Sequence, residues 1–199
     1  EFKQAITAQS IRAGQTVAEP DVLARNLFTL MKGRVQLIRE GPNGRRLAIA
    51  TLGPGSMFGE GALLCAADPC VKAVALTDCV LWMVPQPQAQ TLALRYPVLS
   101  WGLLQTVGQR LAQVENRMEE VAYKRLPERL ASLLLELANG GKAIRGTSHQ
   151  ALADMLGTYR ETISAILRSF KDDGLVELGY RKIELRDVRG LRMAAGSIE

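Results

Sequence analysis

Histidine is nearly absent from this 199-residue chain: His149 is the only one. A multi-histidine metal site is therefore excluded, and a Ser-His-Asp triad would have to be built on His149 alone. No G-x-S-x-G, G-x-x-x-x-G-K-[ST] or G-x-G-x-x-G segment occurs, so neither a hydrolase nucleophile nor a nucleotide cradle is in evidence. Cysteine is scarce too. Cys65, Cys70 and Cys79 form an odd set without C-x-x-C spacing, which speaks against a disulfide framework or a zinc ribbon. Aromatic residues make up only 5% of the chain, too few for a reading built on base-stacking platforms. No apolar run approaches the ~18 residues of a membrane span, and the start of the chain has no signal-peptide pattern. The expectation is a cytoplasmic, non-enzymatic protein with no catalytic residues and no metal.

What the chain does have is ordinary globular composition, with 47% hydrophobic and 23% charged residues. Twenty-five Lys+Arg against 20 Asp+Glu make it mildly basic, at +5. From residue 10 to 85 short apolar-polar runs alternate with glycine and proline, as in Arg34-Val35-Gln36-Leu37-Ile38. Gly41-Pro42-Asn43-Gly44 reads as a tight hairpin turn, Gly53-Pro54-Gly55 as a break, and Pro85 and Pro87 as the end of the last apolar run. Regularly spaced short strands predict a barrel or rolled sandwich.

Near Pro97 the period changes. Leu104, Val107, Leu111, Val114, Met118 and Val121 follow a 3-4 spacing for nearly three heptads, flanked by polar residues that include Arg110 and Glu115. An amphipathic helix packing on its own domain is the plain reading. The stripe is narrower than such packing requires, so a self-associating coiled coil is favoured.

Beyond Pro127 the pattern is again helical. Leu130, Leu133, Leu134 and Leu137 mark one face, ended by Asn139-Gly140-Gly141. Ser148 reads as the N-cap of a short helix through Leu152, Ala153, Met155 and Leu156, and Gly157 stops it. Thr158-Tyr159-Arg160-Glu161 has the S/T-x-x-E form of a capping box, and Ile163, Ile166, Leu167 and Phe170 continue a second helix to Gly174. Residues 175–178 and 182–185 form two short strands around Gly179-Tyr180-Arg181. Helix, tight turn, helix and hairpin outline a winged helix-turn-helix.

Such a motif presents the first turn of its second helix to the major groove. Here that turn carries Tyr159, Arg160, Glu161 and Ser164. Arginine can donate a bidentate pair to guanine, and glutamate can accept from cytosine. Glu161 has a competing role as the far half of the capping box. Arg168, Lys171, Arg181 and Lys182 are placed to meet phosphates. Net charge adds little, since residues 125–199 hold 12 Lys+Arg and 10 Asp+Glu; the case rests on placement.

Residues 150–157 followed by Tyr159-Arg160-Glu161-Thr162-Ile163-Ser164 resemble the DNA-binding signature of the cyclic-AMP receptor protein/fumarate-nitrate regulator (CRP/FNR) family. Residues 52–60, Leu-Gly-Pro-Gly-Ser-Met-Phe-Gly-Glu, resemble its β-roll signature, and the heptad helix sits where its dimerisation helix belongs. The resemblance spans essentially the whole chain. It implies an α+β fold with an N-terminal β-roll, a cyclic-nucleotide-binding-like jelly roll, over 1–94. A long dimerisation helix over 95–126 and a C-terminal winged helix-turn-helix over 127–199 would follow. It further implies a homodimeric transcription regulator that binds two-fold symmetric double-stranded DNA and contacts RNA polymerase. Arg160 and Glu161 match the family's base-reading pair. Ser148 and His149 stand at the start of the motif's first helix, with His149 where cyclic-AMP receptor types carry Arg. Ala165 stands where they carry a second Arg.

The sensor half departs from the cyclic-AMP pattern. Gly59 and Glu60 match the ribose-holding pair, but Cys70-Val71 replaces the Arg-Ser that holds phosphate. Val114 and Glu115 replace the Thr-Ser adenine contacts. A phosphate without an Arg fork loses its charge-assisted bonds. Lys72 lies close in sequence but at a different point on its strand. The resemblance thus implies an effector other than cyclic AMP, or none, with Gly59 and Glu60 as the candidate effector-binding residues and a plain turn as the alternative. With no histidine before residue 149, a His-ligated haem in this half is excluded. The cysteines read as strand packing at Cys79 and loop thiols at Cys65 and Cys70, against a redox-switch alternative. The competing function is a sensor module acting through protein contacts, with a degenerate helix-turn-helix.

Overall fold

The structure, a computed structural model, describes residues 6–41, 45–64 and 70–196. The residues divide into two compact units, one of 1–44 and 48–114, the other of 45–47 and 115–199. Among the described residues no helix is long and apolar enough to cross a membrane.

The first unit opens with β1 (Thr7–Ile11), β2 (Thr16–Ala18), one helical turn α1 (Pro20–Leu23), β3 (Asn26–Lys32), β4 (Val35–Glu40) and β5 (Arg46–Leu52). β6 (Met57–Phe58), the turn α2 (Gly61–Leu64), β7 (Val71–Ala75) and β8 (Cys79–Pro85) follow. Next come α3 (Gln86–Arg95) and the 27-residue α4 (Pro97–Tyr123), whose residues from 115 on belong to the second unit. The strands form two four-stranded sheets, ordered β1-β8-β3-β6 and β2-β7-β4-β5. This is the rolled sandwich that the strand spacing predicts. Phe28, Leu30, Phe58 and Leu81 from one sheet meet Val35, Leu37, Ala50 and Ala73 from the other in one buried core. Alternation along β3 does the sorting: Phe28 and Leu30 point into that core, while Leu27 packs with Ala89 of α3 and Leu103 of α4.

One detail differs from the sequence reading. Val35, Gln36, Leu37 and Ile38 do not alternate; all four are buried, because β4 is an interior strand between β7 and β5 with both faces covered. The last apolar run ends as expected, β8 stopping at Pro85, and Pro87 sits in the first turn of α3, where its missing N–H costs nothing. Residues 42–44, with the expected Asn-Gly turn, lie outside the described residues, as does Cys65.

The second unit contains α5 (Leu126–Ala138), β9 (Ala143–Arg145), α6 (His149–Leu156), α7 (Arg160–Asp172), β10 (Val176–Gly179), β11 (Lys182–Leu185) and α8 (Val188–Ala194). The expected hairpin is present, with Val176 opposite Leu185 and Gly179 opposite Lys182. The stretch after Asn139-Gly140-Gly141, where the sequence marks no strand, contains β9, which pairs with β11 as a third strand. Three residues carry too little pattern to reveal a strand; the pairing partner makes it one. Leu130 and Leu134 of α5, Leu152 and Ala153 of α6, Ile163 and Leu167 of α7, and Leu191 of α8 are fully buried together.

Phe28 and Phe58 face each other across β3 and β6 with stacked rings 5.0 Å apart, both fully buried. Phe58→Ala should cost about 3–5 kcal/mol. The check is the denaturant midpoint followed by fluorescence of Trp82 and Trp101, both in the same unit.

Candidate nucleic-acid interface

α6 begins where Ser148 accepts the Ala151 N–H at 3.1 Å, and it ends at Gly157 with φ 65°. Gly157 and Thr158 close a Schellman motif: the Thr158 N–H donates to the Ala153 carbonyl at 2.9 Å. Arg129 of α5 donates to the Leu156 carbonyl at 3.2 Å, holding the same helix end.

This geometry corrects one sequence expectation. α7 starts at Arg160 with Tyr159 as its N-cap, and Tyr159 makes no side-chain cap. Thr158 is not the cap, and its N–H, the donor a capping-box Glu161 would accept, is already spent on Ala153. Glu161 is exposed and has no hydrogen bond or ion pair among the described residues. The competing capping role is removed, and its carboxylate is left as an outward acceptor.

Along α7 the buried stripe is Ile163, Leu167 and Phe170. Beside it, at i, i+4, i+8 and i+11, run Arg160, Ser164, Arg168 and Lys171. Tyr159, Arg160 and Arg168 are exposed and Ser164 is half-buried. His149, the first residue of α6, places Nδ1 2.9 Å from the Ser164 hydroxyl. Burial and the nearby Arg160 guanidinium hold its pKa below the ordinary imidazole value. At neutral pH His149 is thus an uncharged ring that fixes Ser164, not a cation for phosphate. The hydroxyl keeps unused bonding capacity.

The β10–β11 hairpin projects Tyr180 and Arg181 at its tip, both exposed, with Arg181 at φ 48°. Lys182 is ion-paired with Glu184, and Lys171 with Glu177 at 2.8 Å. These two lysines, expected to meet phosphates, therefore have carboxylate partners within the chain. Arg160, Arg168 and Arg181 have no ion pair among the described residues.

In the first unit Gly59 has φ 81°, and a Cβ there would stand 2.3 Å from the Asn26 carbonyl oxygen. Only glycine fits. Glu60 is more than part of a turn. Its Oε1 accepts from Arg110 Nη1 of α4 at 2.5 Å, and Nη2 donates to the Met57 carbonyl at 2.6 Å. The sequence marks Arg110 only as a polar flank of the heptad; no local signal links residues fifty apart. Cys70 is exposed, Cys79 is buried in β8, and Lys72 pairs with Glu40 at 2.6 Å. Val114 and Glu115 are exposed on α4. Leu104, Leu111, Met118 and Val121 are each more than half exposed in the single chain, Val114 is exposed, and Val107 is half-buried.

Residues 8–96 match the cyclic nucleotide-binding domain family, and residues 128–194 match the Crp-like helix-turn-helix domain family. The transcriptional regulator SdrP of Thermus thermophilus is 31% identical over 94% of this chain and 94% of its own. The cyclic AMP receptor protein of the same organism is 30% identical over 83% of this chain and 77% of its own. A solved transcriptional regulator of the CRP/FNR family, also from Thermus thermophilus, superposes with a TM-score of 0.76. It shows 30% identity and covers 96% of this chain and 99% of that one.

A depressed His149 pKa has a definite consequence for stability. The unfolded chain takes up the proton first, near pH ~6.5, so the folded state is favoured above that pH. Its contribution falls away as pH drops from ~6.5 through the lower folded value. NMR titration of the sole imidazole should give a midpoint below ~6.5, and His149→Gln should flatten that part of the stability profile. A midpoint above it would contradict the geometry.

Proposed function

We propose a function for this chain from one premise: it belongs to the CRP/FNR family of transcriptional regulators. It is a homodimer that reads a two-fold symmetric DNA site and regulates transcription in the cytoplasm through contact with RNA polymerase. The observation that carries this is the first turn of α7, where Arg160 and Glu161 are exposed and uncommitted within their own unit. Arg160 donates to guanine and Glu161 accepts from cytosine in the major groove. Ser148, His149, Tyr159 and Ser164 frame that turn. Arg168 and Arg181 supply phosphate contacts, and Lys182 joins them once it leaves Glu184.

The apolar seam of α4, from Leu104 to Val121, is the dimer interface. A stripe of large apolar side chains exposed over nearly three heptads is what a second copy of the same helix covers.

Cyclic AMP does not fit the residues present. Cys70-Val71 offers its phosphate no fork, Lys72 is held by Glu40, and Arg110 is spent on Glu60 and Met57. The relative named for cyclic AMP carries that name for itself. In this chain the Gly59-Glu60 turn fastens the roll to α4, and any effector that acts there does so without a free guanidinium.

Selecting bound duplexes from a random pool should return a two-fold site with half-sites about one helical turn, ~34 Å, apart. Arg160→Ala should lose ~1–3 kcal/mol of discrimination at one base pair in each half. Cyclic AMP should leave both binding curves unchanged. Retained preference in Arg160→Ala would remove α7 from the groove.

Sedimentation should find a dimer at micromolar concentration. Leu111→Glu should convert it to monomer, because each carboxylate would face its symmetry mate in an apolar seam. A wild-type monomer would sink the interface.

A further inference from the structure

Glu177 of β10 and Glu184 of β11 are direct cross-strand partners on the outward face of the hairpin. Like charges directly opposite repel, so hairpin stability gives no reason to set two carboxylates there. Each is covered by cations. Lys171 Nζ lies 2.8 Å from Glu177 Oε1. Lys182 Nζ bonds Glu184 Oε1, and Arg186 Nη2 lies 3.1 Å from Glu184 Oε2. Arg145, opposite Lys182 on β9, adds its field to Glu184. Bonds and charge from Lys171 and Lys182 hold both carboxyls below their ordinary range, so both are ionised at neutral pH.

Two anions thus occupy three cations: Lys171 in the last turn of α7, Lys182 on β11 and Arg186 just after it. Lys171 continues the α7 stripe of Arg160, Ser164 and Arg168, and Lys182 follows the exposed hairpin tip. A carboxylate and a phosphate oxygen present a lysine with the same chemistry: a compact anionic acceptor. Exposed pairs of this kind are weak, so a polyanion can displace them. Every displacement forfeits the pair it breaks, and the released carboxylate then stands beside the phosphates.

We propose that Glu177 and Glu184 are internal stand-ins for DNA phosphate, which occupy Lys171, Lys182 and Arg186 and thereby set the affinity for duplex of any sequence. The inference rests on the DNA-binding reading above. Arg160, Arg168 and Arg181, without such partners, make the first contacts. The paired cations add little until their carboxylates are displaced. Sequence-independent binding, which charge alone drives, is held down, and base contacts from α7 decide where the protein stays.

The test uses the full chain, a random-sequence duplex and the duplex selected from the pool, over about 50 to 200 mM salt. Glu177→Gln/Glu184→Gln should bind random duplex about fortyfold more tightly at the low end, with the advantage nearly gone at the high end. The log K against log salt slope should steepen by about 2.7, at ~0.9 for each of the three cations released to phosphate. Thermal melting without DNA checks the fold, and should the double variant melt early, Glu177→Gln alone should steepen the slope by about 1.

A cycle with Lys171→Gln separates competition from bulk charge. Glu177→Gln should tighten binding several-fold when Lys171 is present and less than twofold when it is glutamine. An equal gain in both backgrounds, or an unchanged slope, overturns the proposal. If wild type holds the selected duplex and the glutamate variants match it on both duplexes, only this inference falls. If no protein binds any duplex, the DNA-binding reading falls and takes it along.

Discussion

Thr158 donates its backbone N–H to the Ala153 carbonyl across Gly157, and that bond determines how the second unit presents itself. A glycine in the left-handed region lets α6 stop within one residue. α7 begins at Arg160 with Tyr159 as its N-cap, and because the Thr158 donor is consumed by Ala153, Glu161 has no Thr158 N–H to accept from. The apolar stripe of α7 then locks against Leu130 and Leu134 of α5, which sets the rotation of the helix. Arg160 and Glu161 are thereby turned outward at its first turn. A slip of one residue would rotate every side chain by ~100° and carry Arg160 off that face.

The charges around this turn divide into committed and uncommitted groups. Lys171 and Lys182 have carboxylate partners within their own unit, whereas Arg160, Arg168 and Arg181 have none among the described residues. Net charge conceals the distinction, because every Lys–Glu pair cancels in the sum while differing entirely in what it leaves for a polyanion. His149 belongs with the committed groups, as a neutral ring on Ser164. The one histidine of the chain is thus a positioning group at the junction of two helices.

The first unit matches the cyclic nucleotide-binding domain family over residues 8–96. Gly59 is required by the approach of the Asn26 carbonyl, a backbone reason independent of any ligand. Glu60 is tied to Arg110, so the loop after β6 is fastened to the helix that carries the apolar seam. A mechanical link therefore runs from the roll to that helix.

Periodicity and punctuation in the sequence were sufficient for the rolled strands, the heptad helix and the helix–turn–helix–hairpin order. These depend on spacing between neighbours a few residues apart, and Ser148, Gly157 and Asn139 act on their own backbone. The 3-4 spacing of Leu104 to Val121 likewise marked an unpartnered face before any coordinate did. Tertiary structure alone decided the rest, since each remaining feature joins residues distant in the chain. Arg110 meets Glu60 fifty positions away, β9 becomes a strand only beside β11, and β4 is buried on both faces only between its neighbours. Glu177 faces Glu184 because the hairpin register puts them opposite, and only then do Lys171 and Lys182 acquire their partners. Sequence spacing determines which face a residue occupies; what waits opposite that face is set by packing.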